Sequence, residues 1–434
     1  MLTDVPRTRS PGIRRLSVAG AWHHLRADSL YRNSAYLLLN LGLSAVAGFV
    51  CTLICTRWYS PTEFGYATAM FSSLGLAVSA GNLGLVRTVA RFLGRSGTRS
   101  RDITTYLLLI SAGSTVTGIA VGSSLSGAGI ARVTPAVIAV FVVAVVITSV
   151  KSVVDGAFVA VRTASGTLLS NLTFSVIRIA LAAALAGTGY LVIFGTSLVA
   201  VIVALAVSLV LLVTRIGIRL PARPSLAAMR GRWSFALGSY TSDLIGGLPT
   251  SIVPLIVVGQ LGPVVGALWF TVIQVIGFML TVSSSINQAM FAEMSNAEHG
   301  MRQFVKKALL SMYALLLPLT AVVVIFARPI MSIFSPSYVA AADVLRLMAI
   351  FALIGVTNYI SGSIIAWHRK TFYLTAVNAV NAVVTIAYCY FVATDLTGVA
   401  VGWIWGEVTN ALLFVGGCLY FHQRAQRRPR TDVR

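Results

Sequence analysis

Nearly the whole of this 434-residue chain is divided into apolar runs of about twenty residues, and a helix of that length crosses a hydrocarbon layer of roughly 30 Å. The runs lie near 34–56, 66–86, 104–124, 135–161, 168–188, 191–213, 233–258, 266–289, 306–326, 341–366, 372–393 and 399–421. Short charged or Gly/Pro-containing breaks separate them. Composition agrees, since 57% of residues are apolar and only 10% are charged, which excludes a soluble globular chain. A span with its loop takes roughly 30–35 residues, so no soluble domain has room to exist. The expected fold is an all-α polytopic membrane protein with about 12 transmembrane helices.

A formal charge of +21 would point to nucleic acid in a soluble protein, but here the distribution of the charge decides otherwise. With the amino terminus placed inside, segments on that side carry 27 of the 33 lysines and arginines, whereas the opposite loops carry only Arg57, Arg132 and Arg328. That asymmetry is the positive-inside signal. It sets both termini in the cytoplasm, makes anionic membrane lipids the partners of the basic loops, and argues against nucleic acid. Residues 1–33 hold six arginines and no apolar run of signal-peptide length, so they read as an uncleaved basic tail. Within them "RRLSVAGAWHHLRADSLYR" is either an amphipathic helix lying on the membrane or an unstructured tail. Residues 422–434 form a second basic tail.

The longest basic break, "TRIGIRLPARPSLAAMRGRW", falls between the sixth and seventh runs. It marks a linker at 214–232 between an amino-terminal lobe (34–213) and a carboxyl-terminal lobe (233–421), each of six spans. "YSPTEFGYATAMFSS" after the first run resembles "GQLGPVVGALWFTVIQ" after the seventh, each a short turn entering the next helix. Two parallel lobes of this kind face each other across a central cleft.

The stretch "NLGLSAVAGFVCTLICTRWYSPTEFGYATAMFSSLGLAVSAGNLGLVRTVARFLGR" resembles the amino-terminal pattern of bacterial polysaccharide flippases of the Wzx type, in the multidrug/oligosaccharidyl-lipid/polysaccharide exporter superfamily. The matching residues are Arg57, Pro61, Phe64 and Gly65 at the first turn, then Leu83, Gly84, Leu85 and Arg87 after the second span. "FSPSYVAAADVLRLMA" (334–349) and "FAEMSNAE" (291–298) resemble stretches of that family's carboxyl lobe. The resemblance implies alternating access in a bacterial plasma membrane and export of a polyprenyl-diphosphate-linked oligosaccharide. It also implies proton or sodium coupling and biosynthetic enzymes for the polysaccharide as partners.

Against this apolar background the few ionised residues within spans stand out. Lys151 lies eleven residues from Arg162, about 16 Å deep at 1.5 Å per residue, and Arg178 and Asp243 are at similar depths. Each such charge facing lipid costs about 2.5–3.5 kcal/mol, so with Asp155 the four represent on the order of 10 kcal/mol. They must face one another or an aqueous cleft. Lys151 and Asp155, at i and i+4, either form a structural pair or give the cleft positive potential, with Asp155 holding the lysine or exchanging protons. Arg178 has Asn171 and Ser175 on its face and no local acid, so it either bridges to Asp243 or holds the diphosphate with two parallel hydrogen bonds. Arg87 and Arg91 either anchor the membrane boundary or collect the anionic headgroup. Asp343 and Arg346 form a local surface pair.

The carboxyl lobe is rich in amides, Gln274, Asn287, Gln288, Asn358, Asn378, Asn381 and Asn410, which serve interhelical hydrogen bonds or sugar hydroxyls. Glu407, the lone acid of the twelfth run, can carry a coupling proton. Cys51, Cys55, Cys389 and Cys418 fall in apolar segments as small hydrophobes, with no metal-ligand spacing, and nothing calls for a cofactor. Two further functions compete with a flippase. An ion-coupled small-molecule exporter would favour acidic or aromatic linings, and a membrane polymerase or glycosyltransferase would need a sizeable external loop, whereas every external connection is short.

Overall fold

The apolar runs fold as helices because a helix satisfies every backbone polar group within one segment of chain. A computed structural model describes residues 29–125, 134–185, 187, 189–220, 222–225, 229–296, 301–367 and 370–427. The tail reading of residues 1–28 and 428–434, most of the amphipathic stretch, and the loop residues Arg132 and Arg369 lie outside the described residues. The first bundle contains α1 (Ser29–Trp58), α2 (Pro61–Gly81), α3 (Leu85–Phe92), α4 (Arg99–Ser124), α5 (Pro135–Ala160), α6 (Ser165–Ala184) and α7 (Tyr190–Ile216). The second contains α8 (Trp233–Leu261), α9 (Pro263–Asn296), α10 (Met301–Ile325), α11 (Ala327–Phe334), α12 (Ala342–Trp367), α13 (Thr371–Phe391) and α14 (Leu396–Arg427). Eleven helices are long and apolar enough to cross a membrane, or twelve if α2 and the bent segment after it count as one span.

That second span corrects the sequence expectation of one continuous helix over 66–86. It begins earlier, where Pro61 takes the first helical position and Ser60 and Glu63 cap each other's backbone N–H groups. It also breaks earlier. Leu83 and Gly84 adopt φ of 50° and 70°, and the chain restarts as α3 at 56° to α2. A second departure is α11 and a 3-10 turn over Pro336–Ala341, which occupy the stretch read as a plain loop between the ninth and tenth runs.

Large apolar side chains line the outside, with Val116 68% exposed and Leu412 70%, as expected where lipid rather than water is the solvent. Leu85, Tyr106 and Phe158 are core residues of the first bundle, and Trp269, Met312 and Tyr338 of the second. The bundles meet where α1, α2 and α3 pack against α8, α9 and α11.

The connection between the bundles is stitched to α4 rather than slack. Ser100 Oγ accepts from the Arg219 N–H (3.0 Å) and Thr105 Oγ1 from the Ser225 N–H (2.9 Å). The Arg232 guanidinium, at the start of α8, donates to buried Asp102 (3.1 Å) and to the Tyr106 hydroxyl (2.7 Å). These polar residues of α4 bind the strap through its backbone, and only Arg232 contributes a side chain among the bonds named.

Candidate functional site

Helix α5 carries Lys151 and Asp155 on one face because they stand one turn apart. Their charges meet at 2.7 Å, so the local pair foreseen from spacing forms. Lys151 is only 7% exposed, and its Nζ also donates to Asn171 Oδ1 on α6 (2.6 Å). Asn171 Nδ2 in turn donates to Asn40 Oδ1 on α1 (2.9 Å). Three helices are thereby tied through one buried ammonium, leaving Asp155 Oδ1 without a hydrogen-bond partner.

Arg178 lies two helical turns beyond Asn171 on α6. Its guanidinium lies 5.0 Å from the Phe71 ring centroid and 5.8 Å from that of Phe174, and it makes no hydrogen bond or ion pair among the described residues. Aromatic faces attract the cation without consuming its N–H donors. Lys151, Asp155 and Arg178 line a cavity of about 340 Å³ bounded by α2, α5, α6 and α7. A second space of about 190 Å³, between α1 and α6, shares Asn171, Phe174 and Arg178 with the first and includes Ser175. The charges expected on the wall between the lobes therefore lie inside the first bundle. The smaller space is walled by α1, a helix of the seam, whose Gly48 packs close to Gln274 on α9.

Asp243 does not bridge to Arg178; it pairs with Arg87 of α3 across the two bundles. The break after α2 is the physical reason, since it swings α3 towards α8. Arg91 is likewise engaged, stacked 4.4 Å from the Phe235 ring centroid. Tyr240 adds a hydrogen bond to the Ala80 carbonyl (3.0 Å). The two arginines read as headgroup collectors thus join the bundles at the face that bears the basic segments. Arg87 is 61% exposed on its side chain, so a double-mutant cycle of Arg87→Ala with Asp243→Ala, followed by thermal unfolding in detergent, should give a coupling of only ~0.5 kcal/mol.

The second bundle holds a cavity of about 420 Å³ between α9, α12, α13 and α14. Glu407 lines it and accepts from Asn358 Nδ2 at 2.5 Å, with no cation paired to it among the described residues. Tyr359, Trp403, Asn378 and Asn410 share the lining, and Asn410 is 8% exposed with its Oδ1 unpartnered. Two other amides serve the fold: Asn381 donates to the Gly406 carbonyl (3.2 Å), and Asn287 accepts from Ser363 (3.0 Å). Asp343 and Arg346 pair at 2.5 Å near the start of α12, as their spacing suggested. Sequence reasoning missed Asn40, Phe71, Phe174 and Tyr359. Asn40 had a usable signal as an amide interrupting an apolar run, but an aromatic residue in a membrane span gives none.

Two helical bundles, each with its own polar cavity and joined along four long helices, define an all-α polytopic membrane protein. Comparison with known proteins gives the particular fold. No protein-family model matches the chain, and neither does any curated protein. Among solved structures, the inward-facing conformation of a multidrug resistance MATE family transporter of the MOP superfamily superposes with a TM-score of 0.68 at 14% identity, covering 90% of this chain and 96% of that one. The outward-facing conformation of a multidrug resistance MATE family transporter gives 0.63 at 16% identity, over 91% and 97%. A MOP superfamily transporter from Pyrococcus furiosus, described as having a binding pocket of reverse polarity, gives 0.65 at 16%, over 92% and 95%. The chain thus has the fold of these transporters, all-α with 11–12 spans in two lobes about a central cleft. The Wzx-type flippases that the sequence resembles belong to the same superfamily.

Proposed function

We propose that this protein carries the phosphate-bearing headgroup of a prenyl-linked oligosaccharide from the cytoplasmic to the outer leaflet of a bacterial plasma membrane, by alternating access. One observation carries the reading. Arg178 is a cation within a spanning helix, without an acidic partner among the described residues, held by aromatic faces beside two cavities, one of which is walled by the seam helix α1. A free guanidinium in a low-dielectric interior is stable only if an anion or water completes it. The prenyl chain stays in the bilayer while the headgroup crosses. In this reading the arginine-rich face is cytoplasmic. Structural neighbours captured facing inward and outward support a two-state cycle on this scaffold.

A second reading, an ion-coupled exporter of small molecules, is favoured by the cavity of the second bundle. Glu407 beside Tyr359 and Trp403 offers a carboxylate and π-faces to an amphiphilic cation. A strain lacking the protein separates the two. The flippase reading expects lipid-linked glycan to accumulate in the cytoplasmic leaflet and the wild-type gene to clear it; the exporter reading expects normal glycan with greater sensitivity to cationic dyes. If Glu407 carries a coupling proton, Glu407→Gln should reduce proton-gradient-driven transport in proteoliposomes about tenfold while headgroup binding persists. Unchanged transport would end that role.

A further inference from the structure

We infer, on the flippase reading above, that the headgroup carried bears one negative charge, so the substrate is a prenyl-monophosphate-linked glycan rather than the diphosphate-linked one that the sequence resemblance implies. The argument is a count of charges. Three ionised side chains line the larger cavity of the first bundle. Lys151 is bonded to Asp155 at 2.7 Å, and on whichever partner the shared proton rests, the two sum to zero. A second N–H of Lys151 is committed to Asn171, itself held by Asn40, so this ammonium cannot swing towards a ligand without breaking a chain of three hydrogen-bonded groups. The smaller space adds no carboxylate, ammonium or second guanidinium, its one other titratable group being the Cys51 thiol. At the seam, Arg87 pairs with Asp243, and Arg91, which keeps its charge beside Phe92 and Phe235, lines neither space. Among the described residues that line the two spaces, one uncompensated positive charge remains, on Arg178.

The chemistry of the ligand follows from that number. A phosphodiester joining a prenyl chain to a sugar carries a single charge, which one guanidinium neutralises through two parallel hydrogen bonds. Phe71 and Phe174 stand beside the Arg178 guanidinium without accepting hydrogen bonds from it, so its N–H donors stay available for such a contact. A diphosphate diester brings a second charge that nothing in either space offsets, and an unpaired charge in a low-dielectric cavity is strongly disfavoured.

The test uses the full-length protein in detergent with two probes that differ by one phosphate, farnesyl-phosphoryl-glucose and farnesyl-diphosphoryl-glucose, with affinities measured by thermophoresis. The wild type should bind the monophosphate about tenfold more tightly. Asp155→Asn removes the partner of Lys151, raises the cavity charge to +2 and should shift preference about tenfold towards the diphosphate. Equal or tighter binding of the diphosphate by the wild type overturns the single-charge assignment and leaves the flippase reading standing. Binding of neither probe by folded wild-type protein overturns both. Should Asp155→Asn fold with its preference unaltered, the charge count is wrong.

Discussion

Arg178→Ala is expected to reduce transport of the lipid-linked headgroup by at least about 100-fold while leaving a folded, monodisperse protein. The magnitude follows from the geometry. The guanidinium makes no hydrogen bond or ion pair within the described protein, so its removal breaks no ion pair, and the losses are two charge-assisted hydrogen bonds to substrate at about 1.5–3 kcal/mol each. Arg178→Lys keeps the charge but not the planar fork and should retain about a tenth of the activity. Cytoplasmic-leaflet accumulation of glycan in a complemented deletion strain measures the first outcome, and size-exclusion chromatography in detergent measures the second. If Arg178→Ala complements fully, the anion-site reading fails and the acidic cavity around Glu407 becomes the better candidate.

Gly84→Val is expected to destabilise the protein by about 3 kcal/mol and to lower the yield of folded protein sharply. Two constraints coincide at this residue. Its φ of 70° disfavours a β-branched side chain, and a Cβ there would overlap the Ala236 carbonyl of α8 in the other bundle. Gly42→Ala on α1 is the control, since nothing lies within 4 Å of its added Cβ, and it should be close to neutral. Thermal unfolding of both variants in detergent checks the contrast. A Gly84→Val protein as stable as wild type would mean that the bundles do not approach each other here.

Gly84 also explains why one stretch of the sequence was so recognisable. Four of the residues that carried the resemblance lie where the two bundles touch. Phe64 packs edge-on against Phe270, Gly65 admits the Pro263 backbone, Gly84 admits that of Ala236, and Arg87 meets Asp243. Phe334 of the later motif packs against Phe49 in the same way. The similarity of sequence is thus largely a similarity of seam, which bears on how the lobes move more directly than on what they carry.

Spans were legible in the chain because hydrophobic length is a local property, independent of how helices pack. The Lys151–Asp155 and Asp343–Arg346 pairs were legible for a similar reason, since helical periodicity alone brings i, i+4 and i, i+3 neighbours together. Partners across helices were not. Depth within a span suggested that Arg178 could reach Asp243, yet rotation about the helix axis and the break after α2 gave Asp243 to Arg87 and left Arg178 between two phenylalanines. One-dimensional spacing measures height along a helix. Azimuth and crossing angle are set by packing, and only the tertiary structure decided that Lys151, Asp155 and Arg178 line one cavity within one bundle while Asp243 sits at the seam.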